Sequence, residues 1–118
     1  MPWLPRRLLR IEGIAVAAGA VALYFHLGFG WPLLLVLILA PDLSALGYLA
    51  GPELGSVTYD LGHTEIWPVL LALAGVLGGT DALVQVALIW LVHIGADRAL
   101  GYGLKYPTGF EDTHLQRV

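Results

Sequence analysis

Residues 8–29 read LLRIEGIAVAAGAVALYFHLGF, an apolar stretch long enough to cross a membrane as one helix. Three further stretches have the same character, at residues 31–50, 57–77 and 82–104. The short segments that separate them are rich in glycine and other residues that end helices. We therefore predict an all-α fold, a bundle of four transmembrane helices in which sequential helices are antiparallel.

The composition supports a chain whose main solvent is lipid. Of its 118 residues 58% are hydrophobic and only 13% charged, and the mean hydropathy is +0.76. We treat residues 1–118 as a single integral membrane domain. The absence of cysteine excludes disulfides and thiolate metal sites, so any metal would be bound by histidine and carboxylate. The net charge of −3 and the lack of a basic run argue against a nucleic-acid partner.

The basic residues indicate how the chain would be oriented in the bilayer. All six lie towards the two ends of the chain: Arg6, Arg7, Arg10, Arg98, Lys105 and Arg117. An even number of spans places both termini on one side, and the positive-inside rule makes that side cytoplasmic. Small residues at 13–20 (GIAVAAGA) allow close helix packing. We favour packing within the chain over a homodimer face, and a homo-oligomer stays open.

Ionisable residues inside the predicted spans are the candidates for function. A charged side chain at the bilayer centre costs about 2.5–3.5 kcal/mol on insertion scales, so these residues should face the bundle interior. They are Glu12, His26, Asp42, Asp60, His63, Glu65, His93 and Asp97. His26 and Glu65 lack partners at matching depth, and whether they take part stays open.

The remaining six are predicted to meet near the cytoplasmic surface. Asp60 and His63 are spaced i, i+3, and His93 and Asp97 are spaced i, i+4, so each pair shares a helix face. Carboxylates and imidazoles from several helices are the ligands of metal sites in helix bundles. The predicted metal ligands are Asp42, Asp60, His63, His93 and Asp97, and the predicted catalytic residues are Glu12 and Asp42.

Without thiolates, such ligands favour zinc, manganese or iron. The leading hypothesis is a metal-dependent membrane enzyme that acts on an amphipathic substrate. Hydrolysis by metal-activated water is the simplest chemistry for such ligands, and redox chemistry stays open if the metal is iron or manganese. An ion- or proton-coupled transporter and a non-catalytic membrane scaffold are the alternatives. In the scaffold, the same residues would form only a hydrogen-bonded polar core.

Four segments carry a resemblance to a known family. They are DRALGYGLKYPTGFEDTHL at 97–115, APDLS at 40–44, GYLAGP at 47–52 and LGHT at 61–64. Together they resemble the signature of a bacterial membrane-protein family, domain of unknown function 4260. The resemblance implies a compact four-helix membrane protein, and it implies no activity. We expect the chain to lie in the bacterial cytoplasmic (inner) membrane.

The C-terminal tail, residues 105–118, is too polar and too rich in glycine and proline to be a fifth helix. It could fold back and add Asp112 or His114 to the site. A solvated tail is the alternative.

Overall fold

The computed structural model describes residues 3–101, and all regular structure in that range is helical. The helices are α1 (Leu4–His26), α2 (Trp31–Leu37), a 3₁₀ helix (Ala40–Ala50), α3 (Pro52–His63), α4 (Ile66–Gly78) and α5 (Asp81–Leu100). The predicted all-α fold is confirmed. The polar tail predicted at residues 105–118, with Asp112 and His114, lies outside the described residues, as does the end of the predicted fourth span.

Three segments are long and apolar enough to cross a membrane: Leu4–His26, Trp31–Ala50 and Asp81–Leu100. Their outer surfaces are strongly apolar. Leu35, Val36 and Leu39, for example, are 64%, 74% and 66% exposed. Monomeric soluble proteins rarely expose such large contiguous apolar patches, so these side chains are suited to contact lipid.

The third predicted span, residues 57–77, is not one continuous helix. Helix α3 ends at His63, Thr64 is extended (φ −87°, ψ 142°), and α4 starts at Ile66. The physical reason is Pro68, which has no N–H to donate to the carbonyl of Thr64 and whose ring would clash with that carbonyl in a helix. The chain therefore breaks at Thr64, and its direction can change there.

Pro41 has a related effect in the second span. Its missing N–H cannot continue the α-helical ladder, and the chain changes from the α-helix that ends at Leu37 to a 3₁₀ helix that starts at Ala40. The 3₁₀ helix and α3 then form a helical hairpin. The Thr58 hydroxyl holds its two arms together by donating to the carbonyl of Ser44 at 2.6 Å.

Helix α5 lies at the centre of the structure, with α1 and α4 packed against it. Arg10 near the start of α1 donates to the carbonyl of Ala99 near the end of α5, whereas Gln85 near the start of α5 donates to the hydroxyl of Tyr24. These contacts show that α1 and α5 are antiparallel. The core between these helices and α2 contains Ala20, Tyr24, Val84, Leu88, Ile89 and Val92.

The α1–α5 contact depends on two glycines. A Cβ atom on Gly95 would lie 2.6 Å from the backbone nitrogen of Ala17 and 2.7 Å from the carbonyl oxygen of Gly13. A Cβ atom on Gly13 would lie 2.7 Å from the carbonyl oxygen of Gly95. The absence of side chains at both positions lets the two backbones touch, as small residues do between membrane helices.

Candidate metal centre

Four of the predicted site residues come from three elements and meet at one point. Asp42 lies in the first turn of the 3₁₀ helix and His63 is the last residue of α3. His93 and Asp97 lie one turn apart on α5. One donor atom from each of the four side chains lies within 4.8 Å of every other, and we call this group the Asp/His cluster.

Short distances join the donor atoms of the cluster. Nε2 of His63 lies 3.0 Å from Oδ1 of Asp42 and 3.4 Å from Oδ2 of Asp97. Nε2 of His93 lies 3.0 Å from Oδ1 of Asp42 and 3.1 Å from Oδ2 of Asp97. The two Nε2 atoms are themselves 3.2 Å apart. Each imidazole nitrogen therefore faces the other imidazole and both carboxylates.

Backbone carbonyls fix the orientation and the tautomer of both rings. Nδ1 of His63 donates to the carbonyl of Tyr59 at 2.9 Å, and Nδ1 of His93 donates to the carbonyl of Ile38 at 2.5 Å. A carbonyl oxygen can only accept, so each Nδ1 carries the ring hydrogen. In the neutral rings each Nε2 then presents a lone pair to the centre of the cluster. Metal-binding histidines are characteristically held in this way.

With both rings neutral, the cluster gathers electron pairs with no hydrogen atom to share among them. Two carboxylate oxygens and two Nε2 lone pairs face one another, which is repulsive unless positive charge lies between them. Oδ2 of Asp97 supports this conclusion: within residues 3–101 it is buried and makes no hydrogen bond. A buried carboxylate oxygen that faces two neutral imidazoles is a costly arrangement that a cation would relieve.

The spacing of the donors fits a single metal ion. Bonds of about 2.0–2.1 Å place tetrahedral ligand atoms about 3.3 Å apart and neighbouring octahedral ligand atoms about 3.0 Å apart. Five of the six distances between the four ligand atoms lie between 3.0 and 3.4 Å, and the sixth, between the two carboxylate oxygens, is within 4.8 Å. Two carboxylates and two neutral imidazoles would also balance the charge of a divalent cation, which lowers the cost of placing it in an apolar surrounding.

The cluster is closed on one side and open on the other. The side chains of His63 and His93 are 0% and 4% exposed, whereas that of Asp42 is 50% exposed. Structural metal sites are enclosed, and catalytic ones keep a position for water or substrate. The exposure of Asp42 gives this site an open side of that kind.

Neighbouring side chains hold His63 in place. Its ring stacks on that of Tyr59, with centroids 3.7 Å apart and an interplanar angle of 10°. Arg98, which is 8% exposed, donates to the His63 carbonyl at 3.0 Å. Neither supporting role was predicted from the sequence, although the i, i+4 spacing of Tyr59 and His63 places them on one helix face.

Trp90 on α5 supports the end of α3, where His63 lies. Its indole Nε1 donates to the carbonyl of Gly62 at 2.6 Å, next to His63 and at the end of α3. We expect Trp90→Phe to lower the free energy of unfolding by about 1–3 kcal/mol, because the carbonyl loses its donor. Denaturant titration in detergent micelles measures the change. Trp67→Phe, at a side chain that is 46% exposed, is the control, and an equal loss in both variants would contradict the role of Trp90.

Two predicted site residues do not enter the cluster. Asp60 lies one turn before His63, about 4.5 Å back along α3, and interacts electrostatically with Tyr48 and Arg98. Glu12 is exposed on α1 and lines a separate polar cavity of about 270 Å³ together with Glu65. His26 is exposed in the last turn of α1.

Comparison with known proteins identifies the chain at the level of a family. The model of the family described as "Domain of unknown function (DUF4260)" matches residues 6–118. No match was found among curated proteins or among solved structures.

Proposed function

The chain belongs to the DUF4260 family, whose description assigns no activity, and we propose that it is a metal-dependent membrane hydrolase. The observation that carries the proposal is the convergence of two Nε2 atoms and two carboxylate oxygens, whose imidazole–imidazole and imidazole–carboxylate distances are 3.0–3.4 Å and which all lie within 4.8 Å of one another. The site would lie near the cytoplasmic face of a bacterial inner membrane, with both termini on that face. This orientation rests on the distribution of basic residues.

A divalent cation would supply the chemistry of this site. Zinc, manganese and iron all accept imidazole and carboxylate ligands. When bound, such an ion lowers the pKa of a coordinated water and polarises a substrate carbonyl or phosphoryl oxygen. In ester hydrolysis, water adds to the acyl carbon, the bond from that carbon to the alcohol oxygen breaks, and the alcohol leaves with a proton.

The residues of the cluster divide this work between them. His63, His93 and Asp97 are buried or nearly so and would hold the ion. Asp42 would contribute Oδ1 to the ion, while the second oxygen of its half-exposed carboxylate takes the proton from water. Glu12, which lines another cavity, has no such part in this arrangement.

Chelation tests the proposed function. We expect zinc- or manganese-loaded protein in detergent micelles to release nitrophenolate from 4-nitrophenyl octanoate or from octyl 4-nitrophenyl phosphate, or 4-nitroaniline from octanoic acid 4-nitroanilide. Activity should fall by at least about tenfold on chelation and return with metal, since loss of the metal removes activation of the water.

Asp42→Asn should lower the rate, and Glu53→Gln, at an exposed carboxylate in the first turn of α3, should leave it unchanged. Metal-loaded protein that hydrolyses none of the three probes would contradict the hydrolase. Metal flux through proteoliposomes in its place would favour a transporter.

A further inference from the structure

An apolar groove of about 220 Å³ lies beside the Asp/His cluster, between α5 and the segment that joins α2 to the 3₁₀ helix. It is lined by Leu37, Ala40, Pro41, Val86, Ile89 and Trp90. Every lining side chain is apolar apart from the indole nitrogen of Trp90, and that nitrogen is occupied by the carbonyl of Gly62. The groove therefore offers contact surface to hydrocarbon and no polar partner to a head group.

The groove leads away from the cluster. Pro41 directly precedes Asp42 in the chain, and Ile89 lies one helical turn before His93. Val86 lies seven residues before His93, which is two turns or about 10 Å along α5. One end of the groove thus adjoins the metal ligands and the other lies two turns further along the helix.

The size and the opening of the groove restrict what could occupy it. Sites for drug-sized ligands measure about 300–1,000 Å³, so a space of about 220 Å³ suits one narrow chain. Val86 is 37% exposed and Ala40 is also exposed, so the groove opens to the apolar outer surface of the protein. A hydrocarbon chain can enter it from the surrounding lipid.

We propose that this groove binds the hydrocarbon chain of a single-chain amphiphile whose oxygen-bearing head group lies at the open side of the metal centre, next to Asp42. The inference rests on the proposed function, because it names the class of substrate for the same site. The apolar groove adjoins the half-exposed carboxylate of Asp42 through Pro41, and this adjacency is the feature that selects an amphiphile over a wholly polar or a wholly apolar ligand.

Cobalt-loaded protein with two hydroxamate probes tests this inference. The hydroxamate group binds the metal in both probes, and only octanohydroxamate has a chain that reaches along the groove. Changes in the cobalt absorption bands report binding. We expect Val86→Trp, which fills the far end of the groove, to weaken octanohydroxamate binding by at least about tenfold, as loss of contact with two methylenes would. Acetohydroxamate binding should stay within about twofold of the unaltered protein.

Ala18→Trp is the matched control. Ala18 lines a shallow apolar groove between α1 and α5 that includes Ile14 and Leu100 and none of the cluster residues. A tryptophan there should leave both probes unaffected. Octanohydroxamate binding that resists Val86→Trp, or that falls equally with Ala18→Trp, would overturn the groove assignment while cobalt binding persists. Absence of cobalt binding to the unaltered protein would overturn the metal centre itself.

Discussion

His93→Ala should abolish metal binding. The change removes one of two imidazole ligands and leaves Asp42 and Asp97 facing each other with only His63 between them. Loss of a group that merely orients a ligand costs about 10–100-fold in metal affinity, so loss of the ligand itself should exceed about 100-fold. Elemental analysis of purified protein measures the metal content per chain, and titration with cobalt gives the affinity.

The matched control for this variant is His26→Ala. His26 is exposed in the last turn of α1 and lies outside the Asp/His cluster, so its removal should leave the metal content unchanged. Circular dichroism of both variants should show unaltered helix content. Metal that stays bound to well-folded His93→Ala protein would mean that the cluster is not the binding site.

Gly95→Ala should destabilise the whole bundle. The new methyl group would lie 2.6 Å from the backbone nitrogen of Ala17 and 2.7 Å from the carbonyl oxygen of Gly13, and neither atom can rotate away. Overpacking of this kind typically costs about 1–3 kcal/mol, and contact with backbone places this variant at the upper end. Because His93 and Asp97 flank Gly95 on α5, separation of α1 from α5 should also weaken metal binding.

Gly19→Ala provides the comparison on α1. A Cβ atom there meets nothing within 4 Å, so the substitution should be neutral or stabilise the helix by about 0.5–1 kcal/mol. Unfolding of both variants in mixed micelles gives the two free energies. A Gly95→Ala protein as stable as Gly19→Ala would show that the backbones of α1 and α5 do not touch.

The sequence was sufficient to predict the long uninterrupted helices. Residues 8–29 and 82–104 contain no proline, and helices α1 and α5 include nearly all of the described residues in those ranges. The prediction of one continuous helix at residues 57–77 was wrong, because it rested on mean hydropathy and did not take account of the proline within the range. Pro68 was visible in the sequence, and its clash with the carbonyl of Thr64 was enough to predict the break.

Spacing and depth could group the site residues but could not select among them. Asp60 and His63 are neighbours on α3, yet a separation of one turn determines which side chain reaches α5. The predicted depth of Glu12 in the membrane matched that of the site. Depth does not show, however, that α1 packs against a side of α5 other than the one that carries His93 and Asp97. Contacts such as that of Trp90 with Gly62 depend on the break at Thr64, which was not predicted.

X-ray absorption spectroscopy of the metal-loaded protein tests most directly whether one ion is bound by Asp42, His63, His93 and Asp97. We predict two imidazole nitrogens and two or more oxygens at about 2.0–2.1 Å, with the outer-shell scattering of two imidazole rings. His93→Ala protein should not retain the ion, so a sample of that variant treated with the same metal should lack this scattering. A spectrum of oxygen ligands alone, unchanged by the substitution, would contradict the account.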